Sequence, residues 1–300
     1  MKIDETTPKT KKAIWVLENI KKTDSFYNEL NILMLIASVT SWKKYNSTFN
    51  ELHCDTMSFL KLQELGILSL WDNIDTRIVD SKTNIDTFIF WASAKNRVLL
   101  EQNECVSLVD VDFISYAPIY NIGAEYSLIC SHVEDGVQWY PSVVDKYINK
   151  MTSLPSWLMV KRDMSAINVC YLSFNDFELQ KEYAQYSIKA MEELTTFNLP
   201  HYNKYMCWAE QKLLKQLIIE KNIKYKPLIS NMYSCRYGIF RDQFFNTEGE
   251  WTVEEARKKY YHIGTDKYKL KQEGANLEFL YVICRESVDI ASIMSVLLKK

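Results

Sequence analysis

The chain has 300 residues, of which 47% are hydrophobic and 13% aromatic, with a formal net charge of −2. That composition excludes a disordered or acidic solvating chain, and it excludes a nucleic-acid binder that works through bulk positive charge. The seven cysteines include no C-x-x-C and sit mostly in apolar runs, which argues for reduced, buried thiols and against a disulfide framework or a structural zinc site.

In chain order, "MKIDETTPKTKK" (residues 1–12) is polar and reads as a flexible N-terminal tail without a signal-peptide core. Ala13–Ile20 reads as a short buried strand. Residues 26–45 follow with apolar positions at helical spacing, and Phe49–Asp55 is a second strand that ends in an acid. A helix over 56–67 closes near Gly66. Strand 75–80, helix 87–102 and strand 105–114 complete a β-α alternation across the first third. The second half carries strands at 125–134 and 167–174, then an amphipathic helix from Asn175 to Leu194. A further helix follows over 203–222, with short strands at 227–235 and 238–245 and a last helix at 289–300. The alternation predicts an α/β fold: a mainly parallel, Rossmann-like central sheet flanked by helices, in a single domain over 13–300. Sheets of this kind bind ligands beyond the carboxyl ends of their strands. The longest strongly apolar run, "ILMLIASV", falls far short of the roughly 18–20 residues of a membrane span. A cytoplasmic location is expected. The apolar last helix, ending in Lys299-Lys300, is compatible with peripheral membrane contact.

No P-loop and no G-x-G-x-x-G fingerprint is present. The chemistry concentrates in "CVSLVDVDFISYAPI" (Cys105–Ile119). Asp110 and Asp112 end an apolar strand, and residues two apart in a strand share a face. Converging carboxylates repel unless a cation lies between them, and Mg²⁺ or Mn²⁺ suits oxygen donors. The competing reading is a pair of solvated acids at a strand end. A phosphatase-type aspartate nucleophile fits poorly, because Ile114 stands where D-x-D-x-T has threonine. His53 and His132 read as packed or surface histidines. Asp55 reads as a helix N-cap or, in the alternative, as a contact to base or ribose.

At these residues the chain resembles the GT-A-type nucleotide-sugar glycosyltransferases, in particular family 8-like enzymes and their bacterial and viral relatives. "FWASAKNRVLLEQNECVSLVDVDFISYAPI" is similar to that family's helix, hydrophobic strand and D-x-D. "AINVCYLSFND" resembles its strand after an N-x-G-type turn, with Asn168 on the asparagine and Cys170 near the usual small glycine. "WAEQKLLKQL" resembles the polar pair beneath the sugar, here Glu210 and Gln211. "YYHIGTDKYKLK" resembles the H-x-x-G-x-x-K segment, one residue shorter here, with His262, Gly264 and Lys267.

The resemblance implies a GT-A-like fold and a metal-dependent transfer from a nucleotide-diphosphate sugar, UDP-linked by expectation. The acceptor it implies is a glycan, a lipid-linked molecule or a protein. Asp110, Asp112 and His262 would hold Mn²⁺ or Mg²⁺. Lys95, Asn168, Gly264 and Lys267 would meet the donor, and Glu210 and Gln211 would serve the sugar centre. The chemistry agrees: a dication and a nearby lysine stabilise the charge of a departing diphosphate. Two alternatives remain open, another metal-dependent phosphoryl-transfer or hydrolytic enzyme and a non-catalytic sugar-nucleotide-binding relative.

Overall fold

The structure is a computed structural model, and it describes residues 12–18, 29–46, 48–119, 122–134, 142–159, 165–200, 204–229 and 260–262. Strand β1 (Lys12–Leu17) carries Ala13, Trp15 and Leu17 to one face and Ile14 to the other, all buried. It is followed by α1 (Glu29–Tyr45), β2 (Phe49–Cys54), α2 (Thr56–Glu64), a 3₁₀ turn at Leu68–Leu70, β3 (Asn73–Asp75) and α3 (Arg77–Asp80). Next come α4 (Ser93–Glu101), β4 (Val106–Val109), β5 (Phe113–Ser115) and β6 (Leu128–Glu134). After α5 (Ser142–Ile148) and α6 (Ser156–Met159) the chain builds β7 (Ala166–Phe174) and α7 (Phe177–Thr196). Helix α8 (Lys204–Cys207) runs through a π turn (Trp208–Lys212) into α9 (Leu213–Glu220), and β8 (Tyr225–Pro227) and β9 (Tyr260–His262) follow.

Seven strands form one sheet in the order β3-β2-β1-β4-β7-β6-β8. The pairs β3–β2, β2–β1, β1–β4 and β6–β8 are parallel, whereas β4–β7 and β7–β6 are antiparallel. The expected α/β architecture with a mainly parallel sheet is therefore present, and the second half of the chain extends that sheet. Apolar side chains fill both faces. One core joins α1 to Trp15, Leu52 and Tyr171, and the other joins α4, α7 and α9 to Ile14, Leu108 and Phe174. Helix α1 is buried almost all round from Ile32 to Trp42. That is the pattern of a core helix and not of a surface one.

Three local expectations change. The strand expected at 75–80 instead ends at Asp75 and turns into α3. Asp75 accepts the Arg77 backbone amide at 2.8 Å, which folds the chain back at that point. Helix α4 starts at Ser93, six residues after the expected start at Thr87, because Phe90 and Ser93 close turns on Asp86 and Phe90 before it. The strand expected over 105–114 breaks at Asp110: β4 ends at Val109, and Phe113 donates back to the Asp110 carbonyl at 3.0 Å. The two aspartates thus sit in a turn, and the alternation rule of a strand does not place them. The strands expected at 238–245 and most of 227–235, and the last helix, lie outside the described residues.

Candidate active site at the end of the central strand

The D-x-D turn is anchored from three sides. Asp110 donates its backbone amide to the Cys170 carbonyl of β7 at 2.9 Å. Ser38 on α1 donates its hydroxyl to the Asp110 carbonyl at 3.0 Å and accepts the Trp15 indole N–H at 3.0 Å. Beyond the turn, Phe113 stacks on Tyr171 with centroids 5.4 Å apart, Tyr171 packs on Trp42, and Trp42 meets Trp15 edge-on. Apolar burial and ring packing of this extent hold β5 in one place. A neighbouring turn is fixed with it.

Lys95 and Glu210 converge on the aspartates. Lys95 lies two residues into α4, on the α4–α7 side of the sheet. Its Nζ is 2.5 Å from Asp110 Oδ1 and 3.6 Å from Glu210 Oε1. Burial alone would lower the Lys95 ammonium, but Asp110, Glu210 and, more weakly, Asp112 outweigh it and hold the group above its ordinary range. Glu210 is also raised, but for it burial is the winning cause. Burial raises its carboxyl to about 7, only partly offset by Lys95 and reinforced by the Asp110 charge. A buried carboxyl raised in this way beside a charged partner is typical of reaction centres.

The π turn explains how Glu210 gets there. A π turn widens a helix and releases carbonyls from the helical ladder. Two hydroxyls one turn apart on α7 take up the released groups: Ser187 donates to the Ala209 carbonyl and Tyr183 donates to the Glu210 carbonyl at 3.2 Å. Lys212 is drawn the opposite way and donates to the Ser165 carbonyl at 2.9 Å. Of the polar pair, Glu210 is therefore the member that meets Lys95. Gln211 is half-buried on the next position of the same turn.

The remaining expected residues divide. His262 is brought in by β9, which pairs antiparallel with β5 so that His262 stands opposite Phe113, one residue from Asp112. Gly264 and Lys267 lie outside the described residues. Asn168 lies on β7 beside the carboxyl end of β4, since Val109 pairs with Tyr171. Its amide donates to Glu134 at 2.9 Å and accepts from Ser131 and from the Cys170 backbone. Those bonds knit β7 to β6. Asp55 is the N-cap of α2, accepting the Ser58 amide at 2.8 Å and the Ser58 hydroxyl at 2.7 Å. The cap reading of that residue holds. His53 and His132 are both buried in the sheet. The five described cysteines are free thiols, three of them fully buried, as their apolar contexts predict.

The D-x-D fits a hard divalent cation in donor chemistry: two carboxylates at a strand end, Asp112 buried and Asp110 partly open. Lys95 would share Asp110 with such an ion. Among the described residues, no third carboxylate or imidazole joins the two aspartates within reach of one ion. The β5–β9 pairing makes His262 the candidate third donor by register alone.

A profile described as a family of unknown function (DUF6734) matches residues 73–283. The chain belongs to the DUF6734 family. This DUF6734 member matches no curated protein by sequence. Among solved structures it is similar to the PaToxG glycosyltransferase at 11% identity, over 72% of this chain and 70% of that one, with a TM-score of 0.41. It is also similar to mouse xyloside xylosyltransferase 1 in its apo form, at 11% identity over 83% and 96% of the two chains, with a TM-score of 0.44. A third similarity is to the apo WbbM bifunctional glycosyltransferase, at 11% identity and a TM-score of 0.46, where 97% of this chain spans about half (52%) of that one. What the DUF6734 site can do follows from its own side chains.

Proposed function

We propose that this DUF6734 protein is a metal-dependent glycosyltransferase of GT-A type, a single domain over residues 13–300 acting on a nucleotide-diphosphate sugar. One observation carries the reading: the D-x-D turn, an ammonium and a carboxylate with a pKa near 7 meet at the carboxyl end of the central strand, where α/β sheets bind ligands. Asp110 and Asp112 would hold Mn²⁺ or Mg²⁺, with His262 as third donor. A bound dication would supply Lewis-acid stabilisation of the diphosphate charge.

The chain's own residues do the rest. Lys95, held protonated, neutralises the leaving diphosphate as the bond between the sugar C1 and the phosphate oxygen breaks and its electron pair departs with that oxygen. The acceptor hydroxyl forms the new bond to C1. Glu210 takes its proton or faces the positive sugar centre, and a group with a pKa near 7 suits proton transfer at neutral pH. Gln211 remains proposed at the sugar centre, and Asn168, Gly264 and Lys267 remain proposed donor contacts. UDP is the proposed carrier, and the acceptor is a glycan, a lipid-linked molecule or a protein. Among the described residues no helix is long and apolar enough to cross a membrane.

A panel of nucleoside diphosphates with and without Mn²⁺, read by thermal unfolding, tests the donor assignment. A ligand at a hundred times its Kd stabilises by about 2.7 kcal/mol. One nucleoside diphosphate is expected to raise the melting temperature in the presence of Mn²⁺. A panel in which none does so would count against the assignment.

A further inference from the structure

A second polar cluster lies away from the D-x-D. Glu51 and His53 alternate on β2 and project to the α4–α7 side of the sheet, opposite Leu52 and Cys54. Asp75 pairs with His53 across β3. Each of the three offers a donor atom, and these atoms lie within 4.8 Å of one another. All three line a cavity of about 730 Å³, walled by Arg97 and Leu100 of α4 and Ile188 of α7. His53 is 1% exposed, and among the described residues neither ring nitrogen has a hydrogen bond of good geometry, although Nε2 lies 2.9 Å from Glu51 Oε1. The three donors therefore face one another beside an open cavity from which a ligand can reach them.

We propose that Glu51, His53 and Asp75 form a second divalent-cation site, of the zinc class, open to this cavity. Imidazole with two carboxylates is a donor set for such ions, at ligand distances of about 2.0–2.2 Å. In the tetrahedral arrangement of such ions, two ligands of that reach stand about 3.4 Å apart, and His53 Nε2 and Glu51 Oε1 at 2.9 Å need open only slightly to reach it. The Asp75 carboxylate lies within 4.8 Å of both and draws in toward them to complete the set. The two cations now on the carboxylates can yield. Lys12 sits 3.0 Å from Glu51 but also reaches Gln102 at 3.2 Å and Glu104 at 3.7 Å. Arg77 holds Asp75 at 2.6 Å from a side chain that is 88% exposed. A dication replaces both and leaves its remaining positions to water or a ligand from the cavity.

Calorimetric titration of the EDTA-stripped full chain with Zn²⁺, on an Asp112→Asn background that weakens the other site, tests this. One Zn²⁺ per chain is expected, with affinity at least 100-fold lower in Asp75→Asn and in His53→Gln, and several-fold higher in Arg77→Ala, which frees Asp75. Absence of Zn²⁺ binding would overturn the proposal. So would an affinity unchanged by Asp75→Asn, which keeps an acceptor for the Arg77 amide, lies outside the apolar core and so serves if His53→Gln fails to fold, or one unchanged or lowered by Arg77→Ala.

Discussion

Asparagine at position 112 is expected to cost about 10²–10³-fold in metal-dependent turnover of a nucleotide sugar while the melting temperature of the unliganded chain changes little. The size is that of removing one preorganised charge-stabilising group from a reaction centre. Asp112 is the sharper choice of the two aspartates. Asp110 neutralises Lys95 at 2.5 Å, so its loss would leave the ammonium with the more distant Glu210 and the weaker Asp112 charge. Removing one partner of a buried pair is itself destabilising by several kcal/mol, and that would blur a catalytic effect. Asp112 adds only the weakest of the charge contributions on Lys95. The Mn²⁺-dependent part of the nucleoside-diphosphate stabilisation should vanish in Asp112→Asn. A variant that keeps full Mn²⁺-dependent stabilisation and turnover would remove Asp112 from the site.

The second large effect belongs to Glu210. Its carboxyl is raised from an ordinary 4.5 to about 7, first by burial and then by the Asp110 charge, against the pull of Lys95. Between those two values the folded chain holds a proton that the unfolded chain has already lost. Stability from this group is therefore present below about 4.5 and is lost as pH rises through about 7. The loss is on the order of 3 kcal/mol. Lys95 titrates above this window, so it does not cancel the slope. In Glu210→Gln the slope should be absent. The difference in stability between variant and parent should move by roughly that amount, in the variant's favour, between pH 4.5 and pH 8, as measured by denaturant unfolding at the two pH values. An equal difference at both would mean that Glu210 is not held protonated by its surroundings.

Much of this arrangement is legible in the sequence because the signals are local. The apolar runs of β1, β4 and β7, and the capped, amphipathic α7 starting after Asp176, follow from pattern and cap chemistry. The D-x-D is visible as two acids at the end of such a run. Its geometry is not, because the break at Asp110 depends on partners far along the chain, Ser38 at 72 residues on one side and Cys170 at 60 on the other. The convergence of Lys95 and Glu210 is equally non-local. Trp208–Lys212 reads as ordinary helix by periodicity, and only the Tyr183 and Ser187 hydroxyls of α7 show why it opens into a π turn. Asn168 also has partners that its local sequence does not reveal. It falls on a motif position by resemblance, yet three of its hydrogen-bonding options are spent on Ser131, Glu134 and Cys170. The cluster of Glu51, His53 and Asp75 was hidden for a similar reason: its members come from two strands, and His53 in isolation reads as a packed histidine.

The most direct measurement is release of nucleoside diphosphate from a set of nucleotide sugars by the purified full chain, with Mn²⁺ and again with EDTA. The account predicts that one donor is hydrolysed slowly even without an acceptor, that EDTA abolishes the release, and that the rate rises with pH through about 7 as Glu210 loses its proton. A chain that binds and cleaves none of these donors, with Mn²⁺ present and the fold intact, would contradict it.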